Sequence, residues 1–140
     1  MAAKAIWCRR SLLASAALLF VVAVILAAAV IPPVRADTFP RASPKTAAAS
    51  FWVEVVFNLL AGSTLLLIVA RRTVSGRLLH VGLGVLAILV LAFALLLVDA
   101  AAAFAGHGPA MLRTDILIFV CAAADLGASV LVGAAAFISP

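Results

Sequence analysis

Of the 140 residues, 68% are hydrophobic and only 11% are charged, and the mean hydropathy is +1.35. Soluble domains run at about 45–50% and 25%, and a water-soluble fold of this length cannot hide so much apolar surface. The net charge of +5 and the pI near 10.7 do not point to nucleic acid. The basic residues stand in short clusters beside apolar runs, where they set orientation and meet anionic lipid headgroups.

The chain opens with ten residues carrying Lys4, Trp7, Cys8, Arg9 and Arg10. An almost uncharged run follows over 11–31, and about 20 residues at a rise of about 1.5 Å cross the ~30 Å hydrocarbon layer as a helix. A second reading competes here. A basic start, an apolar run and the small residues Val34 and Ala36 around Arg35 match a signal peptide cleaved after residue 36. The run of 21 residues exceeds the usual h-region of about 7–15 and favours a retained span.

Pro32-Pro33 ends this helix, because proline lacks the amide and disfavours helix in the residue before it. Pro40 and Pro44 are expected to keep the loop 32–50 extended as far as Ala49. The second span covers 51–70, and a short loop, 71–77, with Ser75-Gly76 at its turn, makes a tight antiparallel hairpin with the third span, 78–98. The alanine run is expected to carry that helix on to Phe104, before Gly106-His107-Gly108-Pro109 breaks it within the loop 99–115. The fourth span covers 116–138. Phe51 and Trp52 suit one headgroup belt and Trp7 the other. The pattern predicts an all-α fold, a single transmembrane domain over 1–140 built as an antiparallel four-helix bundle.

The polar groups inside the spans are few. Asp125 stands ten positions into the fourth span, ~14 Å deep, at a cost of about 2.5–3.5 kcal/mol on the insertion scale. Eleven Leu, Ile, Val and Phe residues in that span offset it at roughly 0.3–0.6 kcal/mol each. Cys121, Asp125, Ser129 and Gly133 recur every fourth residue as a small, polar stripe, and Glu54, Asn58 and Gly62 form its counterpart on the second span. Small residues at that spacing let helix backbones approach where hydrophobic drive between helices is absent. The expectation is a contact between the second and fourth helices, with Asp125 holding its proton and hydrogen-bonded to Asn58. On that expectation Asp125→Asn leaves assembly intact and Asp125→Leu weakens it. Glu54, three residues inside Phe51, is expected to reach the interface toward Arg113.

The other candidates weigh lightly. Asp99, Arg113 and Asp115 read as interfacial anchors, and His80 and His107 fall at opposite ends of the third span, too far apart for a shared metal. Cys8 and Cys121 lie at different depths and form no disulfide; Cys8, beside two arginines, is a candidate for palmitoylation, set against an ordinary juxtamembrane thiol. Asn58 is followed by Leu59-Leu60 and is no glycosylation acceptor. With no nucleophile–base pair, no Cys-x-x-Cys and no phosphate loop, the sequence predicts no catalytic residues, no cofactor and no metal: not an enzyme.

Six of the ten basic residues, Lys4, Arg9, Arg10, Arg71, Arg72 and Arg77, fall on one side, against Arg35, Arg41, Lys45 and Arg113 on the other. This bias predicts cytoplasmic termini. Four spans with short loops and nothing soluble resemble the MARVEL and Casparian-strip-like tetraspan membrane proteins, which characteristically carry an arginine at the first span and an aspartate at the third. Here Arg9-Arg10 abut the first span, and Asp99 stands in Leu97-Val98-Asp99-Ala100-Ala101-Ala102-Ala103. The arginines are juxtamembrane and Asp99 lies at the outer end, both departures from that pattern. The resemblance implies a scaffold that self-assembles in the plasma membrane. The partners expected are the lipid bilayer and copies of the chain or other membrane proteins, and the alternative is a small transporter or channel component using Asp125.

Overall fold

The computed structural model describes residues 2–31, 44–70, 77–104 and 109–138, with side chains over 6–31, 49–70, 77–102 and 115–137. Helix α1 spans Ala2–Ile25 and continues into one widened π-helical turn, Leu26–Val30, closed by the Ile31 N–H donating to the Leu26 carbonyl. Helices α2, α3 and α4 span Pro44–Ala70, Arg77–Phe104 and Pro109–Ile138. Stretches long and apolar enough to cross a bilayer run over Ile6–Val30, Ala49–Ala70, Arg77–Ala102 and Asp115–Phe137. The chain is an all-α, multi-pass integral membrane protein. Helix is the local solution that such a solvent imposes, since hydrocarbon offers backbone amides and carbonyls no partner.

Two boundaries differ from the sequence expectation. Segments 44–49 and 109–115 are helical rather than extended or looped, and each helix starts on a proline. At the first helical position the missing N–H has no intrahelical acceptor to lose, and the fixed φ already suits the helix. Likewise α1 starts at Ala2, within what reads as a tail. The Val34-Arg35-Ala36 signature, Pro32-Pro33, Pro40, Arg41, Arg71, Arg72, the Ser75-Gly76 turn and His107 lie outside the described residues. So do the side chains of Lys4, Lys45 and Arg113.

Neighbouring helices run antiparallel. Cys8 of α1 meets Ala135 of α4, and Ser15 meets Ala128. On the other side of α4, Ser129 meets Ala87 of α3. Helix α1 packs along both α2 and α4, and α3 packs along α4. By contrast α2 and α3 approach each other only slightly, bridged by the stacked rings of Phe57 and Phe93, with centroids 4.0 Å apart and planes at 16°. The expected direct packing of the second helix on the fourth is therefore replaced by a diagonal relation, with α1 wedged alongside both.

The core forms two apolar layers. One, toward the end marked by Trp52, includes Val22, Leu26, Val30, Phe51, Leu97 and Ile118. The other, toward the end marked by Trp7, includes Leu12, Leu19, Leu65, Leu83, Val90 and Val132. Outside, Leu60, Ile88 and Val130 are well exposed, as lipid-facing side chains are in a protein whose solvent is apolar. At one helix crossing a glycine makes a close approach: a Cβ on Gly62 would stand 3.0 Å from the Phe20 ring, so its absence lets α1 lay an aromatic side chain on the α2 backbone.

Candidate functional site: a buried polar cluster

Positions four apart lie on one helix face. On α2 this puts Glu54 and Asn58 one turn apart, and on α4 it does the same for Cys121 and Asp125. All four side chains turn into the bundle: Glu54 is 5% exposed and the other three are fully buried. Counted along the apolar stretches, Glu54, Asn58 and Asp125 lie five, nine and ten residues from the ends that α2 and α4 share, about 8, 14 and 15 Å deep. Asn58 and Asp125 thus meet near the midplane, between residues that belong to the two apolar layers.

The two acids and the thiol lie within electrostatic reach of one another: Asp125 acts on Glu54, and both act on Cys121. Asn58 stands close enough to Asp125 to act on it as a hydrogen-bonding neighbour, yet no bond of full distance and angle closes between them. Both carboxylate oxygens of Asp125, both amide atoms of Asn58 and Oε2 of Glu54 have no partner. Leaving a buried polar atom unpaired costs about 1–3 kcal/mol, so the bundle holds this cluster against its own stability.

Among the described side chains, no cation relieves it. Lys and Arg are missing between Arg10 and Arg35, between Lys45 and Arg71, between Arg77 and Arg113, and after Arg113. Among the described residues, α1 turns the hydroxyls of Ser11 and Ser15 and the half-buried Cys8 thiol toward the bundle, and α3 carries Arg77, His80 and Asp99, all exposed. The arrangement is two carboxyls and an amide in a medium that disfavours net charge.

Toward the Trp7 end the buried polar groups are satisfied. Ser15 donates to the Ser11 carbonyl at 2.8 Å and lies 3.4 Å from the Ala128 carbonyl on α4. Ser129 donates to the Ala87 carbonyl of α3 at 2.9 Å, and the Cys8 thiol points at the Ala135 carbonyl 3.7 Å away. Hydroxyls that bond to carbonyls in this way join helices without leaving an orphan.

The sequence-derived stripes are thus divided among several contacts. Gly62 receives Phe20 of α1, Ser129 bonds to α3, and Gly133 faces Ala87 of α3, whose Cβ would lie 3.9 Å from a Cβ added there. Glu54 departs from expectation by facing the interior rather than the interface. Helix α2 begins at Pro44, ten residues before it, and the buried Phe51 and Val55 close over that turn. Sequence reasoning missed the Phe57–Phe93 stack, because one ring on each of two helices carries no signal of which rings will meet. The Phe20–Gly62 contact left a trace, an isolated mid-span glycine. Among the described residues, no three His, Cys, Asp or Glu side chains converge to hold a metal ion. Comparison with known protein families, curated proteins and solved structures finds no match to the chain.

Proposed function

We propose that the chain is a non-enzymatic scaffold or accessory protein of the plasma membrane that pairs laterally with a second copy through the outer face of α3. One observation carries this reading. Beside Gly82 and Gly84 of α3 there is open space, with nothing within 4 Å of a Cβ placed on either. A glycine inside a helix sacrifices about 1 kcal/mol against alanine, and its usual return in a membrane is close backbone approach by another helix. Among the described residues, no helix takes that place.

Two further features support it. Helix α3 is the least covered of the four, with 22% of its apolar window buried against 33–39% in the others. Exposed Leu78, Val81, Val85 and Ile88 occupy the arc between the two glycines, which stand about 160° apart around the helix. This side of α3 thus offers projecting side chains flanked by hollows, as a two-fold self-contact needs. The stripes on α2 and α4, in contrast, are used up within the chain. The clusters around Arg9, Arg10 and Arg77 favour cytoplasmic termini.

Disulfide trapping in native membranes tests the proposal. With Cys8 and Cys121 replaced by alanine, Val85→Cys is expected to give a cross-linked dimer on oxidation, while Val130→Cys, more open still on α4, gives none. Equal yields from both positions, or monomer alone, reject α3 pairing.

A further inference from the structure

The paired acids are unexplained by any packing role, because packing leaves them unbonded. Glu54 and Asp125 lie within electrostatic reach of each other, nearly or fully buried, with Asn58 fully buried beside them. Three carboxylate oxygens, the Asn58 carbonyl oxygen and the Asn58 amide nitrogen point into the cluster without a partner. Asn58 is the more informative group. It carries no charge of its own, and in an apolar interior an amide with both ends open marks a place where something else bonds.

The missing component must be positive. Two carboxylates within electrostatic reach of each other do not both persist ionised in a low-dielectric setting. Among the described residues Cys121 of α4 lies beside them, Ser15 of α1 turns to the Ala128 carbonyl nearer the other end, and Arg77, His80 and Asp99 of α3 are exposed. The neutralising charge therefore enters from solution. Its chemistry follows from the donors: carboxylate and amide oxygens are hard ligands that suit protons and alkali or alkaline-earth ions rather than soft metals. Three side chains in a dry interior fall short of the roughly six or more oxygens that a divalent ion demands, which leaves the monovalent ones. One positive charge with one retained proton, or two protons, brings the cluster to neutrality.

We propose that Glu54, Asn58 and Asp125 form a binding site for a small hard monovalent cation, taken up as a proton or as an alkali ion. The site is independent of how the bundle pairs with other copies, since its residues face the interior. Glu54, one turn nearer the membrane boundary than Asn58, is the member that meets the entering ion first.

The wild-type chain in its native membrane is sufficient to test this. Dicyclohexylcarbodiimide, an apolar carbodiimide, modifies carboxyls that are protonated and shielded from water, and peptide mapping locates the adduct. The expected result is modification of Asp125 or Glu54 well above that of the exposed Asp99. Where a proton is the ligand, labelling falls by about tenfold per pH unit once the pair gives it up, whatever salt is present. Where an alkali ion is the ligand, excess sodium or potassium chloride suppresses labelling severalfold against choline chloride at the same pH. Asn58→Leu, which keeps both acids and removes the amide, is expected to abolish that salt protection or shift the pH profile. Labelling of neither carboxyl, or labelling indifferent to both pH and salt, overturns the proposal.

Discussion

The two halves of this bundle treat buried polarity in opposite ways. Toward the Trp7 end, Ser15 and Ser129 each donate to a carbonyl and link α1 to α4 and α4 to α3. From the midplane toward the Trp52 end, Glu54, Asn58 and Asp125 are as deeply buried and carry the more costly groups, yet five of their polar atoms are unpaired. A hydroxyl has one proton to place and finds it a backbone carbonyl, in its own helix for Ser15, with the Ala128 carbonyl close by, and on α3 for Ser129. A carboxylate has only acceptors, and helices, whose exposed backbone groups are chiefly carbonyls, have little to offer it. The difference teaches that the serines are structural and that the acids are kept for another reason.

Four substitutions break or sharpen this comparison, measured as the stability of the bundle in bicelles by steric trapping. The largest effect is expected outside both halves, at the crossing that holds α1 on α2. Gly62→Leu must displace the Phe20 ring that lies 3.0 Å from a Cβ there, at about 3 kcal/mol of overpacking; an unchanged stability would mean that α1 and α2 meet elsewhere. Next, Asp125→Val exchanges an unbonded buried acid for an apolar side chain and is expected to stabilise the bundle by about 1–3 kcal/mol. A loss of similar size would return Asp125 to the role of an interhelical tie, and with it the expectation that a leucine there weakens assembly.

Ser129→Ala removes a 2.9 Å bond to α3 and is expected to cost about 0.6 kcal/mol, the average for interhelical hydrogen bonds in membranes. If Ser129→Ala were neutral while Asp125→Val destabilised, the contrast between the halves would be reversed. The smallest effect is at Gly133→Ala. The added methyl meets the Ala87 Cβ at 3.9 Å, an ordinary contact, so the gain in helix propensity should appear as a few tenths of a kcal/mol of added stability.

Much of the fold is legible in the residues. Four apolar runs of bilayer length require four helices, because in hydrocarbon each backbone group finds its partner within its own segment. The depth of Asp125, and its likeness in spacing to Asn58 on another span, are equally readable, since rise per residue converts position into depth. Helix starts are less so. Pro44 and Pro109 read as breakers but open α2 and α4, since proline forbids only what precedes it.

Lateral arrangement is what the sequence does not carry. Helices that are apolar nearly all round have no polar face to tell inside from outside, so the side on which Glu54 points, and the helix that fills each glycine, depend on the shapes of distant side chains. Phe20 settling on Gly62 and Phe57 stacking on Phe93 set α1 between α2 and α4 and leave the latter two diagonal. That placement decides that the acids share the interior while the serines reach carbonyls. Membership in the membrane is a property of composition, summed residue by residue; the meeting of Glu54, Asn58 and Asp125 is a property of packing, which is pairwise, short-ranged and blind to order along the chain.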